Sequence, residues 1–191
     1  DLGDSTHYWA EIYAETGPSE AVPVYATSLW WHAYCVDAAS VSKGASGATW
    51  LAADANHLDG YQLNAADEYL YFTVCIHNDW DGASDIEIKV NFELLTAGAD
   101  VADTVNIVAQ CRYKGTGDTA TKTQSPEGEV TVGTAAQYTQ FVATILVDHD
   151  LVDHLVDVGD KMSMRVNRSP THLEDTNILI SHVNFKYKTA K

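Results

Sequence analysis

Asp85-Ile-Glu-Ile-Lys-Val-Asn-Phe-Glu-Leu-Leu95 decides the fold. Ile86, Ile88, Val90, Phe92 and Leu94 alternate strictly with Glu87, Lys89, Asn91 and Glu93. A helix would scatter these residues around its circumference, whereas a strand sends them to opposite faces of one sheet. The stretch therefore reads as a half-buried strand with one face in a core and the other in water. Such alternation belongs to antiparallel sheets, because strands buried on both faces read as continuous apolar runs.

Downstream, the same period returns after each turn. Loop signals at Ala97-Gly-Ala-Asp100 lead to a strand over Thr104–Tyr113, with Val105, Ile107, Ala109, Cys111 and Tyr113 on one face. Lys114-Gly-Thr-Gly-Asp118 marks a hairpin-like turn. Thr119–Ser125 and Glu129–Val132 are short and polar, as edge strands are. Strands follow over Tyr138–Val147, Lys161–Asn167 and Ile178–Tyr187. Between the first two, Leu151, Val152, Leu155 and Val156 have helical spacing and predict a turn or two of helix. Upstream lies a strand over Glu68–Ile76. From Glu68 onward about eight strands alternate with turn signals, the pattern of an all-β, antiparallel β-sandwich with jelly-roll or Greek-key topology. Ile88, Val90, Phe92, Val105, Ile107, Phe141, Ile145, Met164 and Ile180 are expected to share one interior.

Residues 1–58 read differently. His7–Tyr13 is a short aromatic strand pattern, Ala38–Ala48 a loop rich in small residues, and Leu51–Leu58 a brief helix. Val22–Val36 is bulky on both faces, with Val24, Trp30, Tyr34 and Val36 on one and Tyr25, Leu29, Trp31 and Cys35 on the other. A segment apolar on both faces is inserted between layers or covered by another chain. The reading is an N-terminal set of strands or an arm over 1–58 and a sandwich over 59–191. Trp9, Tyr25, Trp30, Trp31 and Tyr34 are expected to form an interface in a closed homo-oligomer such as a trimer.

The chain has 191 residues, 46% of them hydrophobic, enough for one large core. Its 27 Asp and Glu against 11 Lys and Arg give a formal charge of -16, a surface that repels nucleic acid and anionic lipid. No run approaches the ~18 apolar residues of a membrane span. No signal peptide is visible, although the sequence opens at Asp1 rather than Met, which leaves open whether a segment preceded it. Cys35, Cys75 and Cys111 are widely separated inside apolar patterns and read as reduced core thiols.

Few residues suggest chemistry. Asn78, Asp79, Asp81 and Asp85 surround Trp80 and Gly82, and oxygens so spaced could gather about Ca²⁺; a solvated turn explains them equally. No other cofactor is implied. The eight histidines lack the spacing that puts two imidazoles on one helix face, so His149 and His154 read as surface residues. There is no GxSxG, Walker or dinucleotide-binding signature. Exposed aromatics on a sandwich either stack on sugar rings or anchor a protein interface.

Asp59-Gly-Tyr-Gln-Leu-Asn-Ala-Ala-Asp-Glu-Tyr-Leu-Tyr-Phe72, the Val158-Gly-Asp-Lys161 turn and the closing strand resemble jelly-roll β-sandwich virion proteins of tailed phages and environmental viruses. That resemblance spans residues 59–191 and implies a non-enzymatic protein of the virion surface. It would be a capsid decoration, head-fibre or tail-associated component, docking as an oligomer on capsid or tail proteins. The same sandwich serves secreted carbohydrate-binding modules, which makes glycan binding the alternative. A hydrolase with dispersed carboxylates is the third reading.

Overall fold

The computed structural model describes residues 30–37, 42–43, 48–169 and 177–189, and every regular element within them is a strand. In chain order these are β1 (Trp30–Asp37), β2 (Ser42–Lys43), β3 (Thr49–Leu51), β4 (Gly60–Leu63), β5 (Leu70–Cys75) and β6 (Ile86–Leu94). β7 (Thr104–Lys114), β8 (Lys122–Gln124), β9 (Glu127–Thr131), β10 (Gln140–Val147), β11 (Lys161–Arg168) and β12 (Ile178–Thr189) follow. The eight strands from β5 onward match those read from the period-two pattern. They form two antiparallel sheets. The first runs β10-β6-β12-β4-β3 with β1 also on β12; the second runs β2-β5-β11-β7-β8 with β9 also on β7.

Strands successive in the chain keep changing sheet. β5 lies in the second, β6 in the first and β7 in the second, and β10, β11 and β12 alternate likewise. This crossing makes the molecule a β-sandwich and places long-range partners side by side. Each sheet is built on one long strand. β12 pairs with β6 along one edge, and along the other with β4 at Ile178–Ile180 and then β1 at His182–Thr189. β7 pairs with β11 along one edge, and with β9 and then β8 along the other. The short polar β8 and β9 occupy the margin expected of them.

Apolar residues of both sheets meet in a single core. Ile86, Ile88, Val90, Phe92 and Leu94 are fully buried, facing the alternating set of β7 and Met162, Met164 and Val166 of β11. Phe141, paired with Phe92, stacks on it at 5.7 Å between ring centroids and is itself half-buried. Two glycines mark close backbone approaches. A Cβ on Gly128 of β9 would stand 2.8 Å from the Thr144 carbonyl oxygen of β10, so its absence lets the sheets touch at that margin. A Cβ on Gly60 would stand 2.3 Å from the Ile180 carbonyl oxygen, beside a register shift in β12 between Ile180 and His182.

Several expectations are corrected. Leu51–Leu58 holds no helix beyond the end of β3; Asp54 instead accepts the Asn56 and His57 amides at 2.7 and 3.0 Å. No helix forms over 148–158 either. Only Val156 of its four spaced apolar residues is buried, and Asp153 takes a left-handed φ of 66°. Asn91 and Glu93, expected in water, are buried; the Leu58 amide of the 52–59 loop donates to the Glu93 carboxylate, and Asn91 lies between Val142 of β10 and His182 of β12. Cys75 is exposed. It shares the outward side of β5 with Tyr71 and Thr73, while Leu70 and Phe72 take the inward side. β1, β2 and β3 pair into both sheets, so the described part of 1–58 is continuous with the sandwich.

Candidate functional site

The outer face of the second sheet carries a group of polar and aromatic side chains set in rows. Along β5 the outward residues are Tyr71, Thr73 and Cys75; along β11 they are Lys161, Ser163 and Arg165; along β7 they include Gln110, Arg112 and Lys114. Register sets these in rows. Tyr71, Arg165 and Gln110 stand abreast; Thr73, Ser163 and Arg112 form the next row; Cys75, Lys161 and Lys114 form the third. Residues directly opposite in an antiparallel pair have Cβ atoms about 4.5–5.5 Å apart, so each row is a contact row.

Tyr71, Gln110, Arg112, Ser163 and Arg165 line a cleft of about 130 Å³ between the first two rows. That is well below the ~300–1,000 Å³ of a pocket that engulfs a small ligand. The cleft is a notch in an open face, suited to one part of a longer molecule. The Arg165 guanidinium lies 4.1 Å above the Tyr69 ring, and the Tyr69 and Tyr71 rings are 6.5 Å apart. A cation over an aromatic face is held in place by the ring quadrupole without losing its hydrogen-bond donors. The Arg165 Nε is buried and has no hydrogen-bond partner. None of these residues was singled out in the sequence. Their signal is parity: Arg112 and Arg165, two of the chain's three arginines, both fall on the polar positions of strong strands.

One end of this face is fixed by a charged network. Lys122 meets Asp157 at 2.7 Å and the fully buried Asp160 at 2.9 Å. Burial pulls the Lys122 ammonium down, but its hydrogen bonds to Asp157 and Asp160 outweigh that and hold it above its ordinary value. Tyr113, pushed up chiefly by burial, donates to the His154 carbonyl, and Gln124 Nε2 donates to both the Tyr113 hydroxyl and the Asp148 carbonyl. The 148–158 loop is thereby tied to β7 and β8.

The calcium residues serve separate ends. Asp81 Oδ1 accepts from the Ala83 and Ser84 amides and the Ser84 hydroxyl, an ordinary turn arrangement. Asp79 accepts from the Tyr187 hydroxyl at 2.9 Å. Asp85 meets the His149 Nδ1 at 2.8 Å; that bond lowers Asp85 and raises His149 from their ordinary values. Among the described residues, the one group of three His, Cys, Asp or Glu donor atoms within 4.8 Å is Asp85, Asp148 and His149. Two carboxylates and an imidazole are a poor match to the six to eight oxygens that Ca²⁺ takes.

Of the expected interface residues, Trp9 and Tyr25 lie outside the described residues. Trp30, Trp31 and Tyr34 belong to β1, where they pair with Thr189, Lys188 and Phe185 of β12. Trp80 is a core residue, its indole donating to the Ser84 carbonyl at 3.2 Å. Trp50 is 39% exposed and packs edge-on against Tyr61 at 5.1 Å on the first sheet.

No family model and no curated protein matches the chain. Solved structures do. A family 30 carbohydrate-binding module of a Clostridium thermocellum cellulosomal cellulase matches with a TM-score of 0.45 and 10% identity, over 80% of this chain and 90% of that one. The xylan-binding domain of a Paenibacillus barcinonensis protein matches at 0.41 and 11%, over 83% and 99%. A family two carbohydrate esterase from Cellvibrio japonicus matches at 0.41 and 7%, over 84% of this chain but 35% of the esterase. The chain therefore spans about a third of that enzyme. The likeness is one of architecture, two facing antiparallel sheets.

Proposed function

We propose that this chain is a non-catalytic carbohydrate-binding β-sandwich that takes a glycan across the outer face of its second sheet. The observation that carries the reading is the composition of the cleft: Tyr71 beside Gln110, Arg112, Ser163 and Arg165. A sugar presents an apolar C–H face and a rim of hydroxyls. An exposed tyrosine offers the flat apolar surface, and guanidinium, amide and hydroxyl groups offer donors and acceptors for the rim. Nothing in the cleft supplies a nucleophile paired with a base, which a hydrolase would need.

The test is affinity electrophoresis through gels cast with a panel of soluble polysaccharides. At least one polymer should retard the wild type, and Tyr71→Ala should abolish that retardation with an unchanged circular dichroism spectrum, since Tyr71 is 37% exposed. Absence of retardation by any polymer, or retardation indifferent to Tyr71→Ala, would overturn the proposal. Copurification with virions at a stoichiometry matching a capsid lattice would instead favour the decoration role implied by the resemblance to virion proteins.

A further inference from the structure

Charge along the β5–β11–β7 strip of the second sheet's outer face runs against that of the whole molecule. The chain carries -16 and 27 carboxylates. Yet the outward positions of β5, β11 and the β11-facing half of β7 hold four cations, Arg112, Lys114, Lys161 and Arg165, and no carboxylate. In so acidic a chain, basic side chains are expected to find acid partners. Lys89, Lys122 and Lys186 do so, meeting Glu87, Asp157 and Glu87 respectively. Arg112, Arg165 and Lys161 have no ion pair and no hydrogen bond among the described residues, and Lys114 reaches only the Thr119 carbonyl, at 3.3 Å.

Register makes this more pointed. Lys161 stands directly opposite Lys114. Like charges at directly opposed positions destabilise a sheet, and here no carboxylate lies between to offset them. Farther along the same strand pair, Arg112 stands opposite Ser163 and Arg165 falls in the next row, all three on the lining of the cleft. Guanidinium groups match the planar, two-oxygen geometry of carboxylate and sulfate groups, and the binding is charge-assisted.

We infer that the glycan taken by this face is anionic, a polysaccharide whose carboxylate or sulfate groups are read by Arg112 and Arg165 across the Tyr71 cleft. The inference rests on the glycan-binding reading above and narrows it to a substrate class. The net negative charge of the protein opposes a polyanion at long range, but screening confines that repulsion to about 8 Å at physiological salt. Inside that distance the ligand meets the four cations. The cationic strip of β5, β11 and β7 thus selects for anionic groups, while the carboxylates around it, Glu127 and Glu129 of β9 among them, reject polyanions elsewhere on the surface.

The experiment is titration calorimetry at about 0.15 M salt with five probes: polygalacturonate, the same polymer after carboxyl reduction, a sulfated galactan, neutral xylan, and duplex DNA. Wild type is compared with Tyr71→Ala and with the double variant Arg112→Gln/Arg165→Gln. The expected result is binding to polygalacturonate or to the sulfated galactan, whichever carries the matching group. Affinity should be at least tenfold weaker for a neutral polymer and absent for DNA. The double variant should lose about tenfold or more on the anionic polymer, the worth of a lost hydrogen bond to a charged group, and Tyr71→Ala should lose binding too. Equal binding of reduced and unreduced polymer, with the arginine variant unaffected, would overturn the anionic inference and leave the glycan site standing. Comparable binding of DNA would overturn the inference by showing general polyanion capture. No binding to any polysaccharide would overturn both readings.

Discussion

Phe92→Ala tests the assignment of the β6 apolar face. Phe92 is fully buried in the strand between β10 and β12, opposite Phe141 on one side and Ile180 on the other. Returning its side chain to water forfeits roughly 2–3 kcal/mol of transfer free energy. A residual void adds about 24 cal/mol per Å³, so one of roughly 60–80 Å³ adds about 1.5–2 kcal/mol. The stacked Phe141 ring is half-buried and free to lean into the gap, which trims the void. The expected loss is therefore about 4 kcal/mol, within the 5–15 kcal/mol that holds a typical domain folded. Phe141→Ala should cost only about 1–2 kcal/mol, and the double variant should reveal a coupling of about 0.5–1.5 kcal/mol from the ring pair. Urea melts followed by far-ultraviolet circular dichroism, extrapolated linearly to water, supply all three values. A Phe92→Ala loss below about 1 kcal/mol, or a larger loss at Phe141 than at Phe92, would refute the packing argument.

The His149–Asp85 pair predicts a pH signature. The Asp85 bond raises His149, so its contribution is complete below the ordinary histidine value of 6.5 and disappears as pH rises through the folded value. The His149 bond lowers Asp85, so its contribution is complete above 3.8 and disappears as pH falls. The melting-temperature gap between wild type and His149→Gln should thus peak between those values and shrink toward pH 8; a gap that keeps widening from pH 6.5 to 8 would contradict the pairing. For the thiols, exposed Cys75 should be labelled by a thiol reagent in the native protein. Cys111 is buried and pushed up to about 12, so it should react only on unfolding. Peptide mass mapping of the labelled chain checks both, and fast native labelling of Cys111 would place it outside the core.

Much of the sandwich was legible because water on one face and core on the other impose a period of two. Ile88, Val105, Ile145 and Met164 all fall inside for that reason. Parity also explains the error at Cys75. In Leu70-Tyr-Phe-Thr-Val-Cys75 the buried Leu70 and Phe72 fix the even positions as inward, and a cysteine at an odd one faces out. The helical spacing of Leu151, Val152, Leu155 and Val156 misled because spacing carries no information on what a face can pack against. Those residues lie among Asp148, Asp150, Asp153 and Asp157 in a loop whose carbonyls accept from the Tyr113 hydroxyl of β7 and the Gln124 amide of β8. The cationic face was invisible for a different reason. Arg112 and Arg165 are 53 positions apart, and only the β7–β11 register makes them neighbours. Period-two reading tells which side of a strand a residue takes, but not which strand lies alongside.

The position of β12 has a consequence in time. β1 and β4 meet β6 only through it, so before Ile178–Thr189 is available the first sheet exists as separate pieces. β10 and β6 can form a ribbon, and so can β3 and β4, but neither ribbon has the other's edge to bind. A chain that has emerged only to about residue 170 therefore holds apolar faces it cannot yet cover. Assembly must wait for a strand more than 140 positions from its partner β1, the kind of non-local pairing that slows folding to milliseconds or seconds. During that delay the unpaired edges are open to other chains. The net charge of -16 opposes association of such chains through long-range repulsion.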